Sequence, residues 1–232
     1  SSYMGIEYQN IVFIEITYSD TTSDVYQLPL ALTSGDEAET VRTSSPASIL
    51  ASLTTSNGPA ILHDATARED VRQSLLALIE TGASLAAGNS HSGAVSGSRS
   101  TSFDAARGSG PLPARTGSAE QSNTSILYDQ KLILKLFRRL QPGENPDTEI
   151  GRFLTEVAHF PRIAPFLGEI ASTLADSART TTTLAMLQGL VENEGDGWQC
   201  FLDHLSRYFE GCATSPPLAD TPEDLGTPPS FL

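Results

Sequence analysis

The residues best suited to chemistry lie between Glu120 and Glu149. Lys135 interrupts an apolar run, Ile133-Leu134-Lys135-Leu136-Phe137, and Glu149 follows on a predicted helix. A polar stretch, Glu120-Gln121-Ser122-Asn123-Thr124-Ser125, precedes them. Phosphoryl transfer from a nucleotide needs donors over the phosphates, a lysine to neutralise them and an acidic group to hold that lysine. A mid-strand lysine can lay its stem along a sheet, but a buried ammonium must meet a carboxylate or a phosphate. Glu149 falls about a quarter-turn off the apolar face of its helix, within reach of a sheet. A plainer assignment is also open and, from spacing alone, favoured, with Lys135 turned to solvent and Glu149 favouring the helix dipole. The run is not a Walker A sequence, and its loop has none of the glycines of a protein-kinase phosphate loop.

Other chemistries find less support. His63, His91, His159 and His204 have no Cys or His partner at a metal-ligand spacing, and HExxH is absent. No GxSxG elbow occurs, and the acidic residues are too scattered to select a glycosidase pair. Cys200 and Cys212 form neither a CxxC motif nor a disulfide framework. A formal charge of -14 over 232 residues argues against holding nucleic acid or an anionic membrane by charge. No apolar run approaches the ~18–20 residues of a membrane span, and Ser1 to Gly5 lacks signal-peptide character. A cytoplasmic protein of one or two domains is the expectation.

The elements that must position these residues can be read from pattern. Ile11 to Tyr18 and Val25 to Thr33 flank a polar turn and predict an antiparallel hairpin, with Pro29 at an edge or bulge. Thr66-Ala67-Arg68-Glu69 fits a capping box opening a helix to about Thr81, with Val71, Leu75, Leu78 and Ile79 inward and Gly82 as its stop. Gly82 to Ser118 is dominated by Gly, Ser and Ala and is expected to be largely mobile, marking a domain boundary. Beyond it, Ser125 to Tyr128 and Lys131 to Phe137 read as strands. Asn145 caps a helix from Pro146 to about Ala158, with Ile150, Phe153, Leu154 and Val157 facing a core. Phe166 to Leu174 and Thr183 to Val191 read as strands, and Trp198 to Phe209 as an amphipathic helix with Trp198, Phe201, Leu202, Leu205 and Phe209 inward. The tail from Thr214 has Pro-rich linker composition.

The segment EQSNTSILYDQKLILKLFRRLQPGENPDTEIGRFLTE, Glu120 to Glu156, resembles the N-lobe signature of bacterial maltokinases, including those fused to trehalose synthase. The resemblance continues through Phe166-Leu167-Gly168, Leu184 to Val191 and Glu194-Gly195-Asp196-Gly197-Trp198, and IEITYSDTTSDVYQLPLAL resembles the family's N-terminal cap. It implies an α+β fold in which a curved β cap (1–81) and a flexible segment (82–118) precede a protein-kinase-like N-lobe (119–213), an antiparallel sheet plus helix. A linker (214–232) would then lead to an absent C-lobe.

By the same resemblance the parent enzyme would use ATP and Mg²⁺ to make maltose 1-phosphate. Lys135 would neutralise the phosphates and Glu149 would hold it. Ser122, Asn123, Thr124 and Ser125 would form the loop over the phosphates, and Gln188, Gly189 and Leu190 the hinge meeting adenine through backbone groups. The family's opening Trp/Arg/Phe-rich stretch is missing, and no His-Asp catalytic loop follows Trp198. The resemblance therefore implies no catalytic residue, no metal ligand and no maltose site within these residues, and no turnover without the C-lobe. A second expectation, from another class, is a non-catalytic module packing against a fused or partner trehalose synthase.

Overall fold

A computed structural model describes residues 8–86, 93–117, 122–173, 181–193, 195 and 197–214. The elements in chain order are β1 (Tyr8–Thr17), β2 (Ser23–Ser34), α1 (Gly35–Ser44), β3 (Ile49–Thr55), β4 (Gly58–Asp64), α2 (Glu69–Thr81), β5 (Ser84–Ala86), β6 (Ala94–Arg99), α3 (Phe103–Arg107), β7 (Ala114–Thr116), β8 (Asn123–Tyr128), β9 (Leu132–Phe137), β10 (Arg139–Leu140), α4 (Pro146–Arg152), β11 (Phe166–Thr173), β12 (Thr181–Gly189) and α5 (Gly197–Thr214). The fold is α+β, as expected, with two antiparallel sheets inside a unit that runs to Val191. The unit from Glu192 onward contains α5, an 18-residue helix. The side chains expected to face inward are not buried, with Trp198, Phe201 and Phe209 exposed and Leu202 and Leu205 half-buried, since no described element of this unit covers that stripe. No helix among the described residues is long and apolar enough to cross a membrane.

The first sheet has the order β1-β2-β4-β3, with β10 also pairing β2. Its β1–β2 hairpin runs in unbroken register from Tyr8↔Leu32 to Thr17↔Ser23, as the β-branched and aromatic content of both runs dictates. Pro29 sits inside β2, between the stretch that meets β10 at Val25 and Tyr26 and the stretch that meets β4 from Leu30 onward. The Gln27 N–H points to this second side, where it donates to the Arg138 carbonyl at 2.9 Å. By the period of two, the N–H that Pro29 lacks would point the same way, into the gap between the two partners. Helix α1 covers this sheet through Ala38 and Val41, packed on Ile61.

The second sheet has seven strands, ordered β5-β6-β11-β12-β9-β8-β7. One face carries Leu132, Leu134 and Leu136 of β9, which join Leu75, Leu76, Leu78 and Ile79 of α2 in the main core. Helix α2 thus presents the predicted stripe, with Leu76 added, and ends at Gly82 in the left-handed conformation (φ 63°). Leu75, Leu76, Leu78 and Ile79 pack on the second sheet, although the sequence grouped this helix with the cap, whereas Val71 packs with Ala31 of β2 and Ala65. Its start also differs from the predicted capping box. Asp64 Oδ1 accepts from the Thr66 N–H (2.9 Å) and hydroxyl (2.7 Å), capping a short 3₁₀ turn over Ala65–Ala67. The helix proper begins at Glu69, whose carboxylate accepts from the Ala114 N–H of β7 at 2.9 Å, while the Thr66 N–H is taken by Asp64.

The Gly/Ser-rich segment departs most from its composition. Between residues 82 and 118 the chain forms β5, β6, α3 and β7, three of the second sheet's seven strands, with Phe103 and Leu112 buried. The physical reason is visible at Gly97 of β6. A Cβ there would collide with the carbonyl of Leu78 in α2, so glycine allows the strand and the helix backbone to touch. Gly168 of β11 makes the same kind of approach, its hypothetical Cβ meeting the Ser98 carbonyl and, at 2.7 Å, Ile79 Cγ2. Small residues here serve close packing. Residues 87–92, 118–121 and the tail beyond 214 lie outside the described residues.

Candidate functional site

The opposite face of the second sheet carries Ile133, Lys135 and Phe137 of β9, and helix α4 lies over part of it. Asn145 caps α4 as predicted, its side-chain oxygen accepting from the Asp147 N–H at 2.9 Å, with Pro146 in the first turn. The Thr183 hydroxyl of β12 also accepts from the Asn145 N–H at 3.0 Å, anchoring the helix start to the sheet. The residues turned inward are Thr148 and Gly151, both buried. Past Arg152 the helix widens into a π-turn in which the Ala158 N–H reaches the Phe153 carbonyl at 2.9 Å.

The predicted inner stripe of this helix faces the other way. Ile150, Phe153 and Val157 are 57%, 55% and 65% exposed, and only Leu154 is half-buried. Small inward residues let the helix come close to the sheet; a Cβ on Gly151 would stand 3.8 Å from Met186 Sδ and Phe166 Cβ. Choosing the face by hydrophobicity therefore gave the wrong rotation about the helix axis.

With the observed rotation, Asp147, Ile150, Gly151 and Leu154 form one wall of a groove of about 290 Å³. Lys135, Met186 and Gln188 form its floor, and Ile163 and Ala164 close one side. Lys135 is half-buried and is the cation lining this groove. Its neighbours in register are Ser125 of β8 and Met186 of β12. Nearby, Arg152 is held at 2.9 Å from Glu144 and 2.6 Å from Glu169, with its guanidinium 5.2 Å from the Phe166 ring centre. Burial raises the Glu169 carboxyl above its ordinary value, against the opposing pull of Arg152.

The other anticipated residues divide. Among the described residues no ion pair within 4.0 Å involves Lys135 or Glu149. Glu149 is exposed, and two residues from Asp147 on a helix is about 200° of rotation. The groove-lining carboxylate that sequence reasoning missed is thus Asp147. Its signal was available in the i, i+3, i+4, i+7 spacing of Asp147, Ile150, Gly151 and Leu154. Asn123, Thr124 and Ser125 belong to β8 rather than to a loop. Asn123 and Ser125 pair with Phe137 and Lys135 and so share the groove face. The Thr124 hydroxyl instead accepts from Arg138 Nε at 2.8 Å. Ser122 and Asn123 line a second groove of about 360 Å³ that also reaches Asp147. Gln188 lines the first groove, whereas the N–H groups of Gly189 and Leu190 donate to the carbonyls of Pro165 (2.9 Å) and Lys131 (2.7 Å). Those two donors are engaged by the fold.

A more voluminous cavity than either groove, about 550 Å³, lies between α1 and the start of α2. Its cations are already paired, Arg68 with Glu37 and Asp70, and Arg72 with Glu69 and the carbonyls of Thr66 and Ala114. Size alone does not make it the site. No group of three His, Cys, Asp or Glu residues suited to a metal ion occurs among the described residues.

No known family model matches the chain. Among the solved structures similar to it are two of glucosamine kinases. One is a glucosamine kinase in complex with glucosamine, ADP and inorganic phosphate, at 14% identity and a TM-score of 0.43, covering 91% of this chain and 42% of that one. The other is a glucosamine kinase in crystal form A, at 16% identity and a TM-score of 0.45, covering 90% of this chain and 40% of that one. The chain spans about two fifths of the length of the kinases it resembles.

Proposed function

We propose that this chain forms the nucleotide-positioning part of an ATP-dependent sugar kinase. The observation that carries the reading is a half-buried lysine without an ion-pair partner among the described residues, on the floor of a groove whose helical wall carries Asp147. An ammonium so placed can neutralise phosphate oxygens, the main electrostatic contribution a protein makes to phosphoryl transfer. The polar side chains of Ser125 and Asn123 on the same face, with Gln188 in the floor, give ATP further hydrogen-bonding partners. The volume of about 290 Å³ falls just short of the ~300–1,000 Å³ of typical ligand pockets, as suits one wall of a larger cleft. Magnesium accompanying ATP would take its protein ligands from outside these residues.

The sugar follows from the sequence resemblance: maltose, phosphorylated to maltose 1-phosphate in a parent protein whose C-lobe supplies the catalytic base. The exposed apolar residues Ile150, Phe153 and Val157 favour a covering domain on this side of α4. The same exposure supports the rival reading, a scaffold that packs against trehalose synthase or another partner subunit.

Lys135→Met separates the two. ATP binding to the 232-residue chain, followed by NMR titration, is expected to weaken at least tenfold while the melting temperature holds. Unchanged binding refutes the kinase reading and leaves the scaffold. In a longer protein containing the C-lobe, comparing maltose with glucosamine as phosphate acceptor tests the sugar.

A further inference from the structure

We infer that Gln27, on the first sheet, is a positioning residue for Lys135 on the second. Strand β9 leaves the second sheet at Phe137 and, after Arg138, pairs with β2 of the first sheet as β10. Arg138 makes the hand-over with its own backbone, its N–H donating to the Ser122 carbonyl (3.0 Å) and its carbonyl accepting from the Gln27 N–H (2.9 Å). A fork opens there between β9 and β12, whose ladder ends at the rung Leu136↔Ala185.

The Gln27 side chain closes this fork. It is fully buried, and Nε2 donates to the carbonyls of Phe137 (2.5 Å) and Leu184 (2.6 Å), one from each diverging strand just past the final rung. Phe137 is two residues beyond Lys135, and Leu184 two residues before Met186, the residue paired with Lys135. The amide therefore holds the strands together one residue beyond the rung that adjoins Lys135↔Met186. Without it, two buried carbonyls lose their donor and the ladder frays toward the lysine. Gln27 Oε1 is itself buried without a partner. An apolar side chain would avoid that unsatisfied atom but could not donate to either carbonyl.

A second tie reinforces the same junction. Arg138 Nη2 pairs with Asp64 of β4 at 2.6 Å while its Nε holds Thr124 of β8. The first sheet thus acts as a brace on the strands that carry Lys135. The inference rests on the nucleotide reading of the groove, and a double-mutant cycle on the 232-residue chain tests the two apart, with Mg²⁺ and ATP as the probe.

Gln27→Met is expected to weaken ATP binding about threefold to tenfold in the Lys135 protein and not at all in Lys135→Met, because a brace acting through the lysine has nothing left to position. A purely structural role would lower the melting temperature and weaken ATP binding alike in both backgrounds. Equal weakening in both, or no weakening in either, overturns the positioning role while the nucleotide reading stands if Lys135→Met alone impairs binding. No binding by the wild-type chain, or none lost in Lys135→Met, overturns the nucleotide reading and this inference with it. If Gln27→Met does not fold, Gln27→Asn, which keeps the amide but draws it back by one methylene, takes its place in the same cycle.

Discussion

Adding one methyl group at two glycines should move stability in opposite directions. At Gly97 the new Cβ would overlap the Leu78 carbonyl, and both partners are backbone, of a central strand and of a helix. Normal van der Waals separation is about 3.5 Å, so α2 would have to retreat by about 1.4 Å. That movement would lift Leu75, Leu76, Leu78 and Ile79 from the core together. Overpacking costs about 1–3 kcal/mol where side chains can yield, and rigid backbone on both sides places Gly97→Ala near the top, about 3 kcal/mol. At about 2–4 °C per kcal/mol for a chain of this size, the melting temperature should fall by about 6–12 °C. Gly151→Ala meets atoms no closer than 3.8 Å, in a helix where alanine is favoured over glycine. It should stabilise by about 0.5–1 kcal/mol. Urea unfolding followed by far-UV circular dichroism measures both, with an unchanged m-value showing that the denatured state is comparable. If Gly97→Ala stays within about 0.5 kcal/mol of the parent, the account of the Gly-rich segment as a close-packing device is wrong.

Two further perturbations test the junction and the core. Asp64→Asn keeps a cap for Thr66 but removes the charge facing Arg138, and should cost about 1–2 kcal/mol; Asp64→Ala removes both and should cost about 2–4 kcal/mol in the same assay. Equal losses would mean the ion pair contributes nothing beyond the cap. Burial drives the Tyr128 phenol well above its ordinary value of 10.0, and its hydroxyl donates to the Arg72 carbonyl at 2.7 Å. The folded chain holds this group neutral, so its stabilisation is intact below pH 10 and declines as pH rises above it, where the unfolded phenol ionises. Tyr128→Phe should lower stability at neutral pH by about 1 kcal/mol and flatten the alkaline decline; a decline as steep as the parent's would refute this assignment.

Strand identity was legible because β-branched runs bounded by polar turns have few alternatives, and β1, β2, β8, β9, β11 and β12 all fall where the pattern places them. Lys135 was legible for the same reason, a charge that breaks an apolar strand. Two things escaped. Composition reports the average tendency of a segment to order, and cannot tell a glycine that loosens a chain from one, like Gly97, that lets two backbones touch. Helical periodicity finds the apolar face of α4 but not which face meets the sheet. There, close approach selected Thr148 and Gly151 and left Phe153 and Val157 outside, which moved the groove's acidic residue from Glu149 to Asp147. Gln27 carried no signal at all, since its two acceptors lie 110 and 157 residues away along the chain.

The hand-over at Arg138 also bears on how this architecture can be dissected or recombined. Severing the chain in its glycine-rich middle looks natural, yet α2 on the earlier side supplies core to the later sheet, and β10 on the later side completes the earlier one. Either half made alone would expose leucines and leave the Arg138 guanidinium or the Asp64 carboxylate without its counterpart. Any exchange of N-terminal portions among related sequences must therefore carry Gln27, Asp64, Thr124 and Arg138 across as one inheritance.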